Sequence, residues 1–443
     1  MALLMFHNLG KSQHALTLHY KRNTTKKKLK LLSQYKIIAS SLLVASLTLS
    51  ACGGKNDKAG ISAKPAQQTT SSIAIDDSLR SRLAQFIAAP RVQGQFAVHV
   101  YDLTAGKPVF GYNETKSLPS ASCMKLLTGI VGLKLMGTAY NYSTSIYTKG
   151  QVKGNTLQGD IALKGSLDPQ LNGPDLSMFA QALANKGIRK ISGKCFIDLV
   201  VSEPVTSEQH WYPWDLSFSR YGVFYKGAPR VAKEFKYALR SRGIAVADSQ
   251  VVTGRVPQGA QCLFRFHRPI SLVVERMWKN SSNTQATAML YTIGHQVNPT
   301  GDPVSSGVNY LRQFLRTQLH LTDTAIVVHD GCGLCTYNHL SPVALTTILR
   351  YGHENPPIYA QLCKLLSVSG VDGTLRREMS SPDLRGKIKG KTGTLSHPYG
   401  ISSLAGYCQG SNGHTLAFAI MASEMSVLDA HVLQRKFCKE LVK

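Results

Sequence analysis

The stretch Ser122-Cys123-Met124-Lys125 begins an apolar run that continues to about Met136 with helical spacing. Serine and lysine at positions i and i+3 lie on one face of a helix, so the two side chains can meet. A serine hydroxyl is a weak nucleophile until a base takes its proton, and a lysine becomes such a base when burial lowers its pKa. Ser122 and Lys125 are therefore a candidate nucleophile and base. Alone, the four residues fit a helix-capping serine and a surface lysine equally well.

A second motif, Lys391-Thr392-Gly393-Thr394, lies near the other end of the chain. A phosphate-binding loop of the GxxxxGK[ST] type is excluded, because only three residues separate Gly386 from Gly390 and the flanking pattern is strand-like. On an edge strand, a lysine and two threonine hydroxyls form a cationic, hydrogen-bonding site for a carboxylate. The glycine between them allows a substrate to approach the backbone closely.

A third motif, Ser281-Ser282-Asn283, lies between the other two along the chain. A hydroxyl and an amide in one loop can relay a proton and hold a peptide group of a substrate. The same residues also make an ordinary polar turn, so this motif gains meaning only from the other two.

Hydrophobic periodicity predicts hairpins at both ends of the chain. Alternation of apolar residues predicts a strand over 96–103, a turn follows it, and 108–112 can return as a second strand. Strands are also predicted over 390–395, 403–408 and 416–423. Helical spacing predicts helices over 76–89 and 427–442. We therefore expect an α/β fold of the α+β type, in which one antiparallel sheet is assembled from both ends of the chain and helices pack on it.

The middle of the chain differs in composition from its two ends. Residues 146–165 are rich in glycine, threonine and β-branched residues, and the pattern Ala-Leu-x-x-x-Gly-Ile occurs at 182–188 and again at 238–244. Each copy predicts a helix that ends at a left-handed glycine and is followed by a strand. We expect a smaller inserted α/β domain over 141–255, within a main domain formed by 75–140 and 256–443.

The N-terminal segment is strongly basic. Residues 1–52 hold eight Lys and Arg and no Asp or Glu, and the whole chain carries a net charge of +26. The uncharged run 37–51 is shorter than the ~20 residues of a membrane-spanning helix and suits the apolar part of a signal peptide. We predict a signal peptide over 1–51. The end of this segment, Leu49-Ser50-Ala51-Cys52, resembles a bacterial lipobox, which implies lipid attachment to Cys52 and a flexible tether over 52–74.

The excess of basic residues could indicate a nucleic-acid binder, and the cysteine spacing could indicate a metal or redox site. The rest of the chain keeps 43 basic against 25 acidic residues, but export and the lack of a basic–aromatic motif argue against a nucleic-acid binder. Cys332-Gly-Leu-Cys335 has CxxC spacing, and zinc is disfavoured because no second ligand pair of matching spacing exists. We expect two small buried residues there, with a redox pair as the alternative.

In their order along the chain, the motifs Ser-x-x-Lys, Ser-x-Asn and Lys-Thr-Gly are together the combination that marks penicillin-binding proteins and serine β-lactamases. The chain resembles the class C low-molecular-mass penicillin-binding proteins, the DacB-type D-alanyl-D-alanine carboxypeptidase/endopeptidase family. The resemblance covers roughly residues 75–443, including the insertion. The stretches that carry it besides the motifs are 118–126, 159–169, 186–193, Asp330-Gly-Cys-Gly-Leu334, Ser341-Pro342 and 370–375.

The resemblance implies a role for each motif residue. Ser122 would be the acylated nucleophile, Lys125 its base, and Ser281 a proton relay bridging Lys125 and Lys391. Asn283 would hold a substrate amide. The terminal carboxylate would bind to Lys391, Thr392 and Thr394, with Gly393 beside them and an oxyanion hole formed by the backbone N–H groups of Ser122 and Thr394.

The family resemblance also implies partners and a location. The substrates would be peptidoglycan stem peptides ending in D-Ala-D-Ala, the inhibitors β-lactams, and no metal or organic cofactor is required. A periplasmic protein with a lipid anchor in the outer membrane is expected, because Gly53 follows Cys52 where an inner-membrane retention signal often has Asp. Two alternatives stay open: a β-lactamase or esterase of the same fold, and a catalytically silent peptidoglycan-binding lipoprotein.

The sequence departs from the family pattern at three positions. The family usually has serine where Cys332 stands, serine or threonine at Cys123, and glutamate at Thr287. None of these changes removes a heteroatom that the implied mechanism uses. The insertion is also short: the stretch that ends at Val223 runs almost directly into Ala232. We therefore expect a second inserted subdomain to be mostly lost, and an endopeptidase preference stays open.

Overall fold

The computed structural model describes residues 73–206, 211, 222–396 and 400–443. The predicted signal peptide, the tether up to residue 72 and Cys52 therefore lie outside the described residues. In the described part the helices are α1 Asp77–Ala88, α2 Met124–Met136, α3 Ser177–Asn185, α4 Ala228–Ser241, α5 Ile270–Lys279, α6 Asn283–Val297, α7 Pro303–Thr317, α8 Pro342–His353, α9 Pro356–Leu365, α10 Leu375–Glu378 and α11 Val427–Val442. No helix of this part is long and apolar enough to cross a membrane.

The strands of the described part form two six-stranded sheets and one short pair. They are β1 Gln95–Asp102, β2 Lys107–Tyr112, β3 Leu118–Pro119, β4 Asn141–Lys153, β5 Thr156–Lys164, β6 Lys190–Ile191, β7 Cys195–Asp198, β8 Val251–Thr253, β9 Gln261–Pro269, β10 His339–Leu340, β11 Ser367–Val368, β12 Lys389–Leu395, β13 Ile401–Gln409 and β14 Thr415–Ser423. β3 and β10 make the short pair.

The main sheet has the order β11-β12-β13-β14-β1-β2, and all its neighbours are antiparallel. Strands from the two ends of the chain meet where β14 pairs with β1 along their full lengths, from Gln95 opposite Ser423 to Asp102 opposite Leu416. The predicted antiparallel sheet assembled from both chain ends is thus confirmed, and so are its flanking helices.

Helices cover both faces of the main sheet, which explains why β13 and β14 are buried almost throughout. On β14, Phe418 and Ile420 belong to the hydrophobic cluster that contains residues of α1 and α11. Ala417 and Ala419 belong to the cluster on the opposite face, which contains residues of α2 and α8. Because side chains alternate across a strand, large residues fill one layer and small residues admit close helices on the other.

The helix that follows Ser122 is buried on all sides from Met124 to Leu133. Close packing at two glycines allows this burial: a Cβ at Gly129 would lie 2.5 Å from the Trp278 ring, and one at Gly132 would lie 2.5 Å from the Met289 sulfur. The Trp278 indole also donates a hydrogen bond to the Lys125 carbonyl over 2.8 Å. Neighbouring helices therefore fix the position of α2.

The middle of the chain forms a sheet of its own, in the order β8-β7-β5-β4-β9, with β6 beside β5. β5, β7 and β8 run parallel, and both predicted helices end near left-handed glycines, Gly187 at φ +78° and Gly243 at φ +69°. The sheet continues past the predicted limit at residue 255, since β9 pairs with β4 over 141–148. The domain limits themselves stay predictions.

Candidate active site

Ser122 lies in a 3-10 turn, Ala121–Cys123, directly before α2. Ala121 has φ +44°, a left-handed conformation that is strained for a residue with a Cβ. Hydrogen bonds on both sides hold this backbone: the Ser120 carbonyl accepts from Ser403 Oγ over 2.7 Å, and the Ser120 N–H donates to the Asn338 carbonyl over 2.9 Å. The strained turn presents Ser122, which is half-buried, at the start of the helix.

Lys125 is fully buried, and its side-chain nitrogen makes three hydrogen bonds. It donates to Ser122 Oγ over 2.8 Å, to Asn283 Oδ1 over 2.7 Å, and to the Cys332 carbonyl. Burial lowers the pKa of Lys125, an effect that the nearby Cys332 and Asp330 partly oppose. A lysine with a lowered pKa, in contact with a serine hydroxyl, is suited to take that proton.

Lys391 reaches the same site from β12 and is also fully buried. Its nitrogen donates to Ser281 Oγ over 2.8 Å and to the Thr392 carbonyl over 2.6 Å. Burial, and then the charge of Lys125, lower the pKa of Lys391 to about 7. Near neutral pH this lysine therefore changes its charge state readily.

Ser281 and Asn283 come from the short connection between α5 and α6. Ser281 has φ +56°, so a second strained residue lies at the site, and Asn283 is the first residue of α6. The bridge implied for Ser281 is half formed: it accepts a hydrogen bond from Lys391, while Lys125 is bonded to Asn283 instead. Among the described residues, no hydrogen bond joins Ser281 to Lys125.

The three residues after Lys391 differ in their surroundings. Thr392 Oγ1 donates to Thr374 Oγ1 over 2.8 Å, and the Thr394 side chain is exposed. A Cβ at Gly393 would lie 2.3 Å from Ser403 Oγ and 3.0 Å from the Ser122 nitrogen, so only glycine lets β12 pass this close to the nucleophile. β12 is the second strand of the sheet, but among the described residues β11 pairs with it only at Lys389 and Gly390, which leaves Lys391–Leu395 without a strand partner on that side.

Two groups at the site were missing from the sequence prediction. The Cys332 carbonyl accepts from Lys125, and Thr374 holds Thr392. The stretch 330–334 was noted only for its resemblance to the family, and a backbone carbonyl leaves no signal in residue identity. Cys332 and Cys335 themselves are buried, as expected for small core residues.

Two further buried side chains, His99 and Cys123, are held by hydrogen bonds of their own. His99 is buried, its Nδ1 lies 2.7 Å from Thr346 Oγ1, and burial lowers its pKa to about 4. Cys123 shares the turn of the nucleophile, but its thiol is buried and bonded to the Lys391 carbonyl over 3.1 Å. Burial raises the pKa of the Cys123 thiol.

The fold and the site together define a class of protein. A serine hydroxyl contacts a buried lysine, a second lysine–serine pair lies beside it, and an open strand edge with a cationic group adjoins both. This arrangement supports acyl transfer through a serine, with a lysine in the place that histidine takes in other serine hydrolases.

Comparison with known proteins places this class more narrowly. The model of the D-Ala-D-Ala carboxypeptidase 3 (S13) family matches residues 79–222 and 224–438. The D-alanyl-D-alanine carboxypeptidase DacB of Haemophilus influenzae is 21% identical over 396 residues, which is 69% of this chain and 81% of that protein.

The solved structures that share the fold include two from different bacteria. Penicillin-binding protein 4 (DacB) from Haemophilus influenzae has a TM-score of 0.70 at 18% identity, covering 82% of this chain and 99% of that one. A predatory peptidoglycan endopeptidase from Bdellovibrio bacteriovorus has a TM-score of 0.55 at 14% identity, and the match covers 78% of this chain and 92% of that one.

The chain belongs to the D-Ala-D-Ala carboxypeptidase 3 (S13) family. It is accordingly a serine-type D-Ala-D-Ala carboxypeptidase, a hydrolase, which confirms the predicted family and enzyme class.

Proposed function

We propose that Ser122 attacks the carbonyl carbon of the terminal D-Ala-D-Ala bond in peptidoglycan stem peptides. The hydroxyl proton passes to Lys125, an ester forms between Ser122 and the substrate, and D-alanine leaves. Water then hydrolyses the ester and restores the serine. The observation that supports this most directly is the 2.8 Å distance between the buried Lys125 nitrogen and Ser122 Oγ. When the lysine is neutral, the serine hydroxyl donates across this contact and its proton can pass to the lysine nitrogen.

The leaving nitrogen must gain a proton before D-alanine departs. We assign this step to Ser281, because its hydroxyl is hydrogen-bonded to Lys391 and can be resupplied with a proton from that lysine. A lysine whose pKa is about 7 can both donate and recover a proton near neutral pH. Asn283, bonded to Lys125 through Oδ1, has its amide N–H groups left to donate to a substrate carbonyl.

Lys391, Thr392 and Thr394 form the proposed site for the substrate's terminal carboxylate. The backbone N–H groups of Ser122 and Thr394 are the proposed donors to the oxyanion of the tetrahedral intermediate. The close approach of Gly393 to the Ser122 nitrogen supports this pairing, because it brings the end of β12 beside the nucleophile.

The test is product release by the full chain. Purified protein is incubated with a pentapeptide ending in D-Ala-D-Ala and with cross-linked muropeptide dimers, and the products are read by mass spectrometry. We expect release of D-alanine and acylation of Ser122 by a fluorescent penicillin, both lost in Ser122→Ala and both kept in the neighbouring Ser282→Ala. D-Alanine release that persists in Ser122→Ala would contradict the assignment, and cleavage of dimers would add an endopeptidase activity.

We further propose that the protein works in the periplasm, attached through a lipid on Cys52. Support comes from the cationic head, the uncharged run and the Leu-Ser-Ala-Cys end of the segment, and from a substrate class found outside the cytoplasm. Cells fed a radiolabelled fatty acid should label the wild-type protein and leave Cys52→Ala unlabelled. Equal labelling of both would refute the anchor at Cys52.

A further inference from the structure

Asp330 is a buried carboxylate next to the active site, and the mechanism proposed above gives it no role. The residue is 1% exposed. Its oxygens accept hydrogen bonds from three backbone N–H groups of the following turn: Cys332 at 2.9 Å, Gly333, and Cys335 at 2.8 Å. One side chain therefore organises the backbone of the whole turn 330–335.

This turn lies directly against the nucleophile and its base. The Cys332 carbonyl accepts from Lys125 Nζ, and the Gly331 carbonyl accepts from Thr128 Oγ1, one helical turn further along α2, over 2.7 Å. A Cβ at Gly333, which has φ +81°, would lie 1.9 Å from the Ala121 carbonyl oxygen. The backbone of this turn therefore packs directly against the residue before Ser122.

Two further side chains fix the carboxylate and its surroundings. Asn338 Oδ1 accepts from the backbone N–H groups of His329 at 2.7 Å and Asp330 at 3.3 Å, and the Asn338 carbonyl accepts from the Ser120 N–H. Trp211 comes before α4 in the chain, and its indole N–H donates a hydrogen bond to Asp330 Oδ2 over 2.9 Å. The network thus runs from the middle part of the chain to the turn that carries Ser122.

We propose that Asp330 is a positioning residue for Lys125: it fixes the Cys332 carbonyl that holds the lysine nitrogen at Ser122, and its negative charge acts on that nitrogen. This inference rests on the function proposed above. The ionisable groups that face Lys125 are Asp330 and Cys332 from the turn, Cys123 from its own helical segment, and Lys391 from β12. Asp330 is the carboxylate in this set, and it raises the pKa of Lys125 against the larger lowering by burial.

The experiment measures the acylation rate of the full chain by a fluorescent penicillin as a function of pH, with Asp330→Asn as the variant. Removing the negative charge lowers the pKa of Lys125 further, so the acidic limb of the rate profile should move to lower pH by roughly one unit. The plateau should fall at least about tenfold, because an amide nitrogen cannot accept the backbone N–H bonds. An acidic limb that stays in place would overturn the proposal.

A matched control separates this effect from a general loss of stability. Asp168 is also a buried carboxylate, bonded to Arg268 Nε over 2.7 and 2.8 Å beside the middle sheet. Asp168→Asn should lower the melting temperature and leave the acidic limb unmoved. A limb shifted equally by both variants would show a global effect and overturn the proposal.

A second variant keeps the test decisive if Asp330→Asn does not fold. Trp211→Phe removes the indole hydrogen bond to Asp330 and keeps the Asp330 carboxylate. Without that donor, the negative charge of Asp330 acts more strongly on Lys125, so the acidic limb of the rate profile should move to higher pH. This direction is opposite to the one expected for Asp330→Asn. An unmoved limb, or one moved to lower pH, would overturn the proposal. If the wild type is not acylated at Ser122 at all, the proposed function itself fails, and this inference falls with it.

Discussion

Ser281 Oγ accepts a hydrogen bond from Lys391 Nζ at 2.8 Å, so its lysine partner differs from that of the nucleophile Ser122. Ser122 Oγ is bonded to Lys125 at 2.8 Å. The site therefore holds two lysine–serine pairs with separate partners. This division favours Lys125 as the base for the nucleophile and the Ser281–Lys391 pair as the proton source for the leaving group.

Ser281→Ala tests this division with two substrates. Loss of a positioned proton donor should lower acylation by an amide substrate on the order of 10²–10⁴-fold. An ester or thioester analogue has a leaving group that departs without prior protonation, so its acylation should fall much less. Stopped-flow measurement of both reactions gives the ratio, with Ser282→Ala as the neighbouring control. Equal losses for amide and ester would place Ser281 in the activation of Ser122 instead.

The buried Lys391 makes stability depend on pH. Burial lowers the pKa of Lys391 from its ordinary 10.5 to about 7 in the folded chain, so between pH 7 and pH 10.5 the unfolded chain binds more protons than the folded one. The free energy of unfolding contributed by this group therefore rises with pH across that window and is lowest below pH 7, where the ammonium is buried in its charged form.

Lys391→Met should remove this dependence. The variant should gain stability relative to wild type at pH 6, and the difference should shrink by about 1.4 kcal/mol per pH unit above pH 7. Urea unfolding at pH 6, 7, 8 and 9 measures the difference, with the exposed Lys387→Met as the control whose difference stays flat. A constant difference for Lys391→Met would contradict the lowered pKa.

Local sequence features predicted much of the fold and most of the site. The segments 96–103 and 416–423 are recognisable as strands because each is short, rich in apolar residues and bordered by turn residues, and both strands are buried on both faces. The motif spacing that places Lys125 on the same helical face as Ser122 needs no long-range information. That Lys391 lies near enough to Lys125 for the charge of Lys125 to lower its pKa was predictable only through the resemblance to a family.

Features that depend on distant backbone were not predictable in this way. The middle sheet reaches Pro269 because β9 pairs with β4, more than a hundred residues earlier, and much of β9 is only partly buried. The Cys332 group that accepts from Lys125 is a backbone carbonyl, which every residue type has. Ser281 is bonded to Lys391 and not to Lys125 because the Lys125 nitrogen reaches Asn283 in the folded chain. Residue identity carries no signal for such choices.

The thiol inside the first motif should be chemically silent. Cys123 is fully buried, its pKa is raised by burial, and the reactive form of cysteine is the thiolate. N-ethylmaleimide at pH 7.5 should modify the exposed Cys262 and leave Cys123 intact until the chain is denatured, as read by peptide mass spectrometry. Penicillin acylation should survive the treatment in wild type and in Cys262→Ser alike. Native modification of Cys123 together with lost acylation would contradict this.

Gly393 of β12 packs closely against the turn that carries Ser122. A Cβ at Gly393 would lie 2.3 Å from Ser403 Oγ, 2.8 Å from the Ser120 carbonyl oxygen and 3.0 Å from the Ser122 nitrogen, so Gly393→Ala must push β12 away from the turn. Since small displacements of reacting groups are costly, acylation by penicillin should fall on the order of 10²-fold.

Gly410→Ala provides the matched control for this steric argument. Gly410 lies between β13 and β14, and a Cβ there would meet only the Asn412 side chain at 3.1 Å and Leu416 at 3.3 Å. This variant should keep wild-type acylation and a melting temperature close to wild type. If Gly393→Ala acylates as fast as Gly410→Ala, close approach of β12 to Ser122 is not required for the reaction, and the proposed oxyanion pairing of Ser122 with Thr394 fails with it.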